Sequence, residues 1–144
     1  MRRYRPDRPI AAVSALAFRG DCVLLIRRRF MPNRGRWALP GGAVGLGEPV
    51  RDAVARETRE ETGLDVDALD VVDVLDVRIP RTGRPEYHFV LAVFRVRVVA
   101  GTLRAASDAG EARWVRLRDL PRLDLTESTR AVLETADRRR APHM

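Results

Sequence analysis

Three glutamates, Glu57, Glu60 and Glu61, lie within about one helical turn of a segment whose other residues have the spacing of a half-buried helix. At about 100° per residue, Val50 and Val54 form an apolar stripe that continues into Glu57 and Glu61, with Glu60 on its flank. An ordinary amphipathic helix places apolar residues there, because burying an unpaired charge is very costly. Three carboxylates at this spacing are typical ligands of Mg²⁺ or Mn²⁺. The pattern therefore indicates a catalytic divalent-metal site.

A second interpretation of the same glutamates has to be weighed. They could pair with Arg51, Arg56 or Arg59 on a solvated helix surface, since charge pairs at helical spacing are common. For an isolated Glu-x-x-Glu-Glu this surface interpretation is the better one. The residues on either side of the glutamates decide between the two.

The flanking residues form a long pattern with fixed spacing. It contains Gly42, five residues, Glu48, seven residues and then the run from Arg56 to Leu64. This segment resembles the Nudix box, G-x5-E-x7-R-E-U-x-E-E-x-G-U, where U is a bulky aliphatic residue. Every fixed position matches, and the one departure is Thr58, a β-branched residue of similar size to Val, in the first aliphatic slot. The resemblance implies structural roles for Arg56 and Glu48, with Arg56 orienting the glutamates.

The resemblance extends to most of the chain through residues 37–42, residues 112–115 and the order of elements. It implies that Glu57, Glu60 and Glu61 are catalytic and bind divalent cations, Mg²⁺ first and Mn²⁺ as an alternative. The backbone carbonyl of Gly41 is expected to complete the metal site. In diphosphate hydrolysis such cations offset the substrate's charge, lower the pKa of the attacking water and stabilise the leaving oxygen.

The resemblance identifies the residue that takes the proton of the attacking water, the general base, less narrowly than it identifies the metal ligands. Glu57 is the first expectation, because its inward position would let it meet the attacking water. Some family members use an acidic residue of a distal loop instead. Asp108, Glu111 and Glu86 therefore remain alternatives.

Four arginines are the candidate substrate-binding residues: Arg27, Arg36, Arg81 and Arg84. Their planar guanidinium groups suit phosphate oxygens. Pro80 falls 16 positions after Leu64 (80 − 64 = 16), a spacing that resembles the ADP-ribose pyrophosphatase subgroup. The favoured function is therefore Mg²⁺-dependent hydrolysis of a nucleoside diphosphate linked to another moiety, ADP-ribose first. A nucleoside triphosphate pyrophosphohydrolase that removes oxidised nucleotides is the alternative within the family.

Composition bears on partners and location. The net charge is +7, and all 27 basic residues are Arg. A non-catalytic nucleotide- or nucleic-acid-binding module is the alternative from another class, but inward carboxylates would repel a phosphate backbone. A small nucleotide substrate is expected, with no stable nucleic-acid partner and no membrane association; a homodimer is compatible with the sequence. The single cysteine, Cys22, suggests a reducing, cytoplasmic location.

The elements that must position these groups follow from periodicity and turn signals. The pattern predicts one α/β domain over residues 1–144, an α/β/α sandwich with a mixed sheet between helices. Residues 1–8 would form a basic N-terminal arm and residues 139–144 a flexible tail. Gly20-Asp21 predicts a turn that joins two strands as a hairpin, and Asp124 is the predicted N-cap of the last helix. The predicted strands are Ile10–Phe18, Cys22–Ile26, Val71–Ile79, Tyr87–Val99 and Ala112–Leu117, and the predicted helices are Pro49–Gly63 and Leu125–Arg138.

Overall fold

Two sheets and two helices make up the fold. The computed structural model describes residues 2–140, with side-chain environments described up to residue 136; the predicted tail lies outside the described residues from 141 onward. The helices are α1 (Val50–Thr62) and α2 (Glu127–Arg140), and a 3-10 helix covers Leu117–Arg122. The strands are β1 (Ile10–Leu16), β2 (Phe18–Arg19), β3 (Cys22–Arg28), β4 (Trp37–Ala38), β5 (Gly41–Ala43), β6 (Leu64–Ile79), β7 (Tyr87–Gly101) and β8 (Ala109–Arg116).

The first sheet is mixed and has the order β5-β1-β7-β6. Strand β1 runs parallel to β7 and antiparallel to β5, whereas β6 and β7 are antiparallel neighbours. In the second sheet β3 pairs with β2, β4 and β8, all antiparallel. The mixed sheet predicted from the sequence is confirmed, and the second sheet joins it in one sandwich.

The hairpin predicted between the first two long strands is wrong for most of its length. Only the short β2 pairs with β3 across the turn, with Phe18 opposite Val23. Strand β1 instead lies at the centre of the first sheet, where six of its seven residues are buried. A strand buried on both faces needs partners along both edges, so β1 pairs with β5 and β7, and the chain changes sheet just before Phe18.

Each helix covers one face of the sandwich. On the α1 side, Ala53 and Val54 are fully buried in a cluster that includes Val13 and Leu24. On the α2 side, Val132 belongs to a second cluster of strand and helix residues. Alternate residues of a strand point to opposite faces, so β1 and β3 contribute to both clusters. The α/β/α sandwich is therefore confirmed.

The ends of the helices agree in part with the prediction. Helix α1 ends at Gly63, which has φ of 75° and donates its N–H to the carbonyl of Arg59 at 2.9 Å. Helix α2 begins two residues later than predicted, and the predicted N-cap, Asp124, is wrong. Thr126 Oγ1 accepts the Thr129 N–H at 3.3 Å, which is the hydrogen bond of an N-cap side chain. Within residues 2–140, neither helix has the length and apolar character needed to cross a membrane.

Candidate active site

Two of the three glutamates of α1 are turned into the protein. Glu61 is 2% exposed and Glu57 is 9% exposed, although each carries a carboxylate. The Gly41 N–H donates to Glu61 Oε1 at 2.7 Å, which joins the helix to β5. The continuation of the apolar stripe into these glutamates, inferred from the sequence, thus corresponds to their burial.

The two glycines of β5 allow the close approach of this strand to its neighbours. A Cβ atom on Gly42 would lie 2.6 Å from the carboxyl carbon of Glu57, and one on Gly41 would lie 2.1 Å from the carbonyl oxygen of Val13. Side chains at these positions would displace either the carboxylate or the central strand. The glycine pair therefore sets the position of the Glu57 carboxylate.

Arg56 holds the loop before α1 against the helix. Its Nε donates to Glu48 Oε2 at 2.7 Å and its Nη2 to Glu48 Oε1 at 2.9 Å, a bidentate ion pair. Nη2 also lies 3.2 Å from the carbonyl oxygen of Ala43, and Glu48 Oε1 accepts the Gly45 N–H at 2.9 Å. Bidentate pairs fix orientation as well as charge, so this arrangement supports the structural roles expected for Arg56 and Glu48.

The third glutamate, Glu60, occupies the exposed flank of the helix. Arg56 Nη1 donates to Glu57 Oε1 at 3.0 Å and to Glu60 Oε2 at 3.2 Å, so one guanidinium nitrogen is shared by the two carboxylates. The side chain of Glu60 is 46% exposed. The structure therefore brings Glu57 and Glu61 together on the inner face and links Glu60 to them through Arg56.

The pKa values of the buried Glu57 and Glu61 are raised, whereas that of Glu48 is lowered. Burial raises the pKa of Glu61 to about 8, against a hydrogen bond from Gly41 that lowers it. Burial also raises the pKa of Glu57, which the charge of Arg56 partly offsets. By contrast, hydrogen bonds from Arg56 and Gly45 lower the pKa of Glu48 to about 2. Arg56 thus offsets only part of the burial of Glu57, and it has no contact with Glu61, whose carboxylate lacks the bidentate partner that Glu48 has.

The inner carboxylates have the chemistry to hold a hard cation. Among the described residues, no three histidine, cysteine, aspartate or glutamate side chains are grouped as metal ligands in the present rotamers. Glu57 and Glu61 nevertheless provide only oxygen donors beside a glycine strand that leaves the Glu57 carboxylate room. A divalent cation prefers such donors and would offset the cost of burying them. Glu57 and Glu61 therefore fit a divalent cation, whereas Glu60 is paired with Arg56 on the exposed flank.

A cavity of about 120 Å³ adjoins Glu61. Its lining includes Glu61, Arg28, Asp108 and Arg3, together with the backbone of Gly41 and its neighbours. Burial lowers the pKa of Arg28, whereas the charges of Glu61 and Asp108 raise it. Of the alternative bases named from the sequence, Asp108 is the one placed in this cavity.

Arg28 is the residue that sequence reasoning missed. Arg28 lies four residues after Leu24 along β3, so alternation places their side chains on the same face of the strand. Leu24 packs in the cluster beneath α1. The period-two pattern could have assigned Arg28 to that face. The missing information was which face of β3 the helix α1 covers.

A second cavity, of about 540 Å³, continues from the first. It includes Arg36, Arg81 and Pro80 in its lining. Arg36 Nε contacts Asp124 Oδ1 at 3.2 Å, and Arg81 Nη2 and Glu127 Oε2 form an ion pair at 2.5 Å. The residues that line both cavities are Asn33, Val77 and Ser128. The two cavities are therefore adjacent, and together they form a cleft from Glu61 to the turn between β6 and β7.

The remaining sequence candidates lie outside this cleft. Arg27 Nη1 contacts Glu111 Oε1 at 3.3 Å, and both residues line a separate surface depression. Arg84 is exposed in the turn between β6 and β7 and lines neither cavity of the cleft. Glu86 Oε2 accepts a hydrogen bond from the hydroxyl of Tyr4 at 2.7 Å. The structure thus does not bring Arg27, Arg84, Glu86 or Glu111 to the inner glutamates.

Cavity size alone does not locate the chemistry. A larger cavity of about 860 Å³ lies beside β6 and β7 and is lined by residues such as Phe18, Arg95 and Trp114. None of Glu57, Glu60 and Glu61 contributes to it. The buried carboxylates therefore identify the smaller cleft as the candidate active site.

Comparison with known proteins places the chain among relatives with named activities. The family model described as NUDIX domain matches residues 8–136. An ADP-ribose pyrophosphatase of Methanocaldococcus jannaschii is 40% identical over 115 residues, which cover 80% of this chain and 66% of that protein, slightly under two thirds of its length. A putative 8-oxo-dGTP diphosphatase 2 of Mycobacterium tuberculosis is 37% identical over 111 residues, which cover 76% of this chain and 75% of that protein.

A solved structure agrees with these sequence matches. The crystal structure of a MutT NUDIX hydrolase from Burkholderia pseudomallei superimposes with a TM-score of 0.80 at 34% identity. The match covers 90% of this chain and 98% of the other. Both the sequence and the three-dimensional arrangement of the elements are therefore similar to proteins of one family.

Proposed function

The chain belongs to the Nudix hydrolase family, and from this premise we propose that it hydrolyses the diphosphate linkage of a nucleoside diphosphate attached to another moiety. ADP-ribose is the favoured substrate. The observation that carries the proposal is the buried carboxylate of Glu61 at one end of a cleft whose second cavity includes Arg81, with the buried Glu57 one helical turn away on the same helix. A binding module has no need for two buried carboxylates, of which Glu57 is paired with Arg56 and Glu61 has no ion pair among the described residues; this speaks against a non-catalytic role.

Divalent cations serve the family generally, and we propose Mg²⁺ for this chain, with Mn²⁺ as the alternative. Glu57, Glu60 and Glu61 would hold the metal, with the Gly41 carbonyl as a further ligand. The Gly41 N–H points to Glu61, and the N–H and C=O of one strand residue point to the same side, which supports the Gly41 assignment. When bound, the metal would offset the substrate's charge and lower the pKa of the attacking water.

The residues of the chain divide the remaining tasks. A water oxygen attacks one phosphorus, the P–O bond to the bridging oxygen breaks, and ADP-ribose yields AMP and ribose 5-phosphate. Glu57 is the proposed general base that takes the proton of the water, because it is buried beside the glycine strand. Asp108 is the alternative base, because it lines the same cavity as Glu61.

Arg36 and Arg81 are the substrate-binding residues whose placement supports the proposal. Both line the second cavity, where a group attached to the diphosphate would extend from the glutamates. Nothing in the placement of Arg27 or Arg84 supports the same role. A cytoplasmic location and a homodimeric state stay predictions from the sequence, as does the assignment of residues 1–144 to one domain.

A substrate panel with Mg²⁺ or Mn²⁺ tests the proposal, with products identified by chromatography. ADP-ribose is expected to give AMP and ribose 5-phosphate with the highest kcat/KM. Arg81→Ala should change the ranking of substrates and leave the metal requirement unaltered, whereas Arg84→Ala serves as a matched change outside the cleft. A nucleoside triphosphate that outranks ADP-ribose by about tenfold, roughly 1.4 kcal/mol of discrimination, would establish the second candidate, favoured by the similarity to the mycobacterial protein.

A further inference from the structure

The basic N-terminal arm is attached to the body of the protein beside the cleft. The Tyr4 hydroxyl donates to Glu86 Oε2 at 2.7 Å, and the Arg5 N–H donates to the carbonyl oxygen of Glu86 at 2.8 Å. The ring of Tyr4 lies 5.5 Å from that of Tyr87, measured between centroids. Contacts from a side chain, the backbone and a ring thus fix residues 4–5 at the start of β7.

This attachment places Arg3 at the first cavity of the cleft. Arg3 and Arg28 both line this cavity, on which Glu61 also borders. Within the described part of the chain, the Arg3 side chain has no hydrogen bond or ion pair, and Arg28 has one side-chain hydrogen bond, from Nε to the carbonyl oxygen of Pro32 at 2.7 Å. The charge of Arg3 acts on Arg28 against those of Glu61 and Asp108, which line the same cavity. With a cation held by the inner carboxylates, the two guanidinium groups would repel each other and favour an anion between them.

The neighbouring arginine of the arm is in a different situation. Arg2 Nη2 lies 3.3 Å from Asp7 Oδ1, and the side chain of Arg2 is 65% exposed. Arg2 does not line the cavity. The arm therefore holds one arginine that is paired with an acid at the surface and one that faces the cleft without an acidic partner among the described residues.

We propose that Arg3 and Arg28 together bind one phosphate group of the substrate's diphosphate, so that the N-terminal arm is part of the substrate site. Arginine donors in a fork match phosphate oxygens, and the resulting hydrogen bonds are charge-assisted. The inference rests on the proposed function for the identity of the substrate. The anion site itself depends on the placement of Arg3 by the arm and of Arg28 on β3.

Binding of inorganic pyrophosphate, measured by calorimetry with Mg²⁺ present so that the cation offsets the charge of the inner carboxylates, tests the anion site, and a phosphate assay of the same mixture checks that no turnover occurs. Arg3→Gln is expected to weaken this binding about tenfold, because a hydrogen bond to a charged group is lost. Arg3→Lys should restore part of the affinity, since it keeps the charge but not the fork. Arg2→Gln is the matched control: it removes the same charge from the same arm and should change the affinity less than twofold.

Steady-state kinetics on the best substrate of the panel give the second readout. Arg3→Gln should raise KM about tenfold while kcat changes less than twofold, the signature of lost binding shared by ground and transition states. Tyr4→Phe removes the hydrogen bond to Glu86 that positions the arm and should raise KM about threefold. Circular dichroism and thermal melting would show that each variant is folded.

Three outcomes would overturn the inference. They are equal pyrophosphate affinity in wild type and Arg3→Gln, an equal loss in Arg2→Gln and Arg3→Gln, and no saturable binding by the wild type. Failure of the proposed function is separate, because it would appear as no hydrolysis of any diphosphate by the wild type. Pyrophosphate binding would still differ between Arg3→Gln and Arg2→Gln in that case if the anion site exists.

Discussion

The glutamates at the two ends of the loop–helix segment lie in opposite electrostatic environments. Glu48, before α1, forms a bidentate ion pair with Arg56, and its pKa is lowered to about 2. Glu61, near the end of α1, is 2% exposed and receives one hydrogen bond from the Gly41 backbone, and burial raises its pKa to about 8. The residue type is the same, but Arg56 pairs with Glu48 and has no contact with Glu61.

The difference separates a structural carboxylate from one available for chemistry. The charge of Glu48 is neutralised by a side chain of the protein itself, so the pair fixes the loop and has no need of a ligand. The charge of Glu61 is not neutralised in this way, and a bound cation would recover the cost of its burial. Strongly perturbed carboxylates in a cleft are typical of functional sites, and here the perturbation follows from burial.

The largest expected difference between the inner glutamates and Glu48 is in kcat. Glu57→Gln and Glu61→Gln should each lower kcat by about 10²- to 10³-fold, because each change removes a charge that stabilises the transition state. Glu48→Gln should lower kcat far less. The measurement is kcat on the best substrate with saturating Mg²⁺, with circular dichroism to confirm the fold; exhaustive chelation should abolish wild-type activity. Wild-type rates in both inner variants would show that the metal lies elsewhere.

A smaller loss of activity is expected from the glycine strand. In Gly42→Ala the added methyl group would meet the carboxylate of Glu57, displacing it and lowering kcat roughly 10- to 100-fold, as small misplacements of catalytic groups do. Gly45→Ala is the matched control, since its nearest neighbour, Glu48 Oε1, would be 3.4 Å from the new Cβ. Kinetics of the two variants under one condition give the comparison. Equal kcat values in Gly42→Ala and Gly45→Ala would mean that catalysis does not depend on the position of the Glu57 carboxylate.

The dependence of stability on pH should differ between the two ends. Glu61 titrates near 8 in the folded protein and near the ordinary value of 4.5 when unfolded. The folded state then binds more protons in this window, so the free energy of unfolding of the metal-free protein should fall as pH rises from about 4.5 to about 8. Urea unfolding across this range should show a shallower slope in Glu61→Gln. An unchanged slope would contradict the assignment.

The smallest effect is expected from the Glu48 pair. Its contribution is present above the ordinary pKa of 4.5 and is lost as pH falls through about 2. At neutral pH, Glu48→Gln should lower the Tm, and the difference from wild type should shrink in acid. Asp67→Asn, which breaks the exposed pair with Arg97, is the control and should leave the Tm almost unaltered. A larger Tm loss in the control would mean that Glu48 does not fix the loop.

The register of the first sheet was beyond sequence reasoning. Strand β6 begins at Leu64, directly after α1, whereas the pattern predicted a start at Val71. Pairing with β7 is irregular between Asp65 and Val66 and twice more up to Asp73. Each irregularity changes which face the following side chains occupy. The alternation of apolar and polar residues therefore does not show which side chains of residues 64–73 face the core.

The assignments outside the glutamate motif show the same limit. Arg27 was preferred over Arg28 among the arginines that follow the second predicted strand. The two are adjacent, so period two places them on opposite faces of β3. Only the packing of α1 shows which face borders the inner glutamates. Arg3 was assigned to a basic arm with no site, since nothing local to residues 1–8 indicates contact with Glu86 and Tyr87.

The sequence by itself determined the family and the helix that carries the proposed metal ligands. These properties are local, because the spacing of Glu57 and Glu61 on one helix face depends only on the helical repeat. The tertiary structure alone decided which basic residues meet those glutamates, which strand pairs with β1 and how far the cleft extends. Contacts between residues distant in sequence depend on sheet order, register and the face each helix covers, and these are set by the packing of the whole chain.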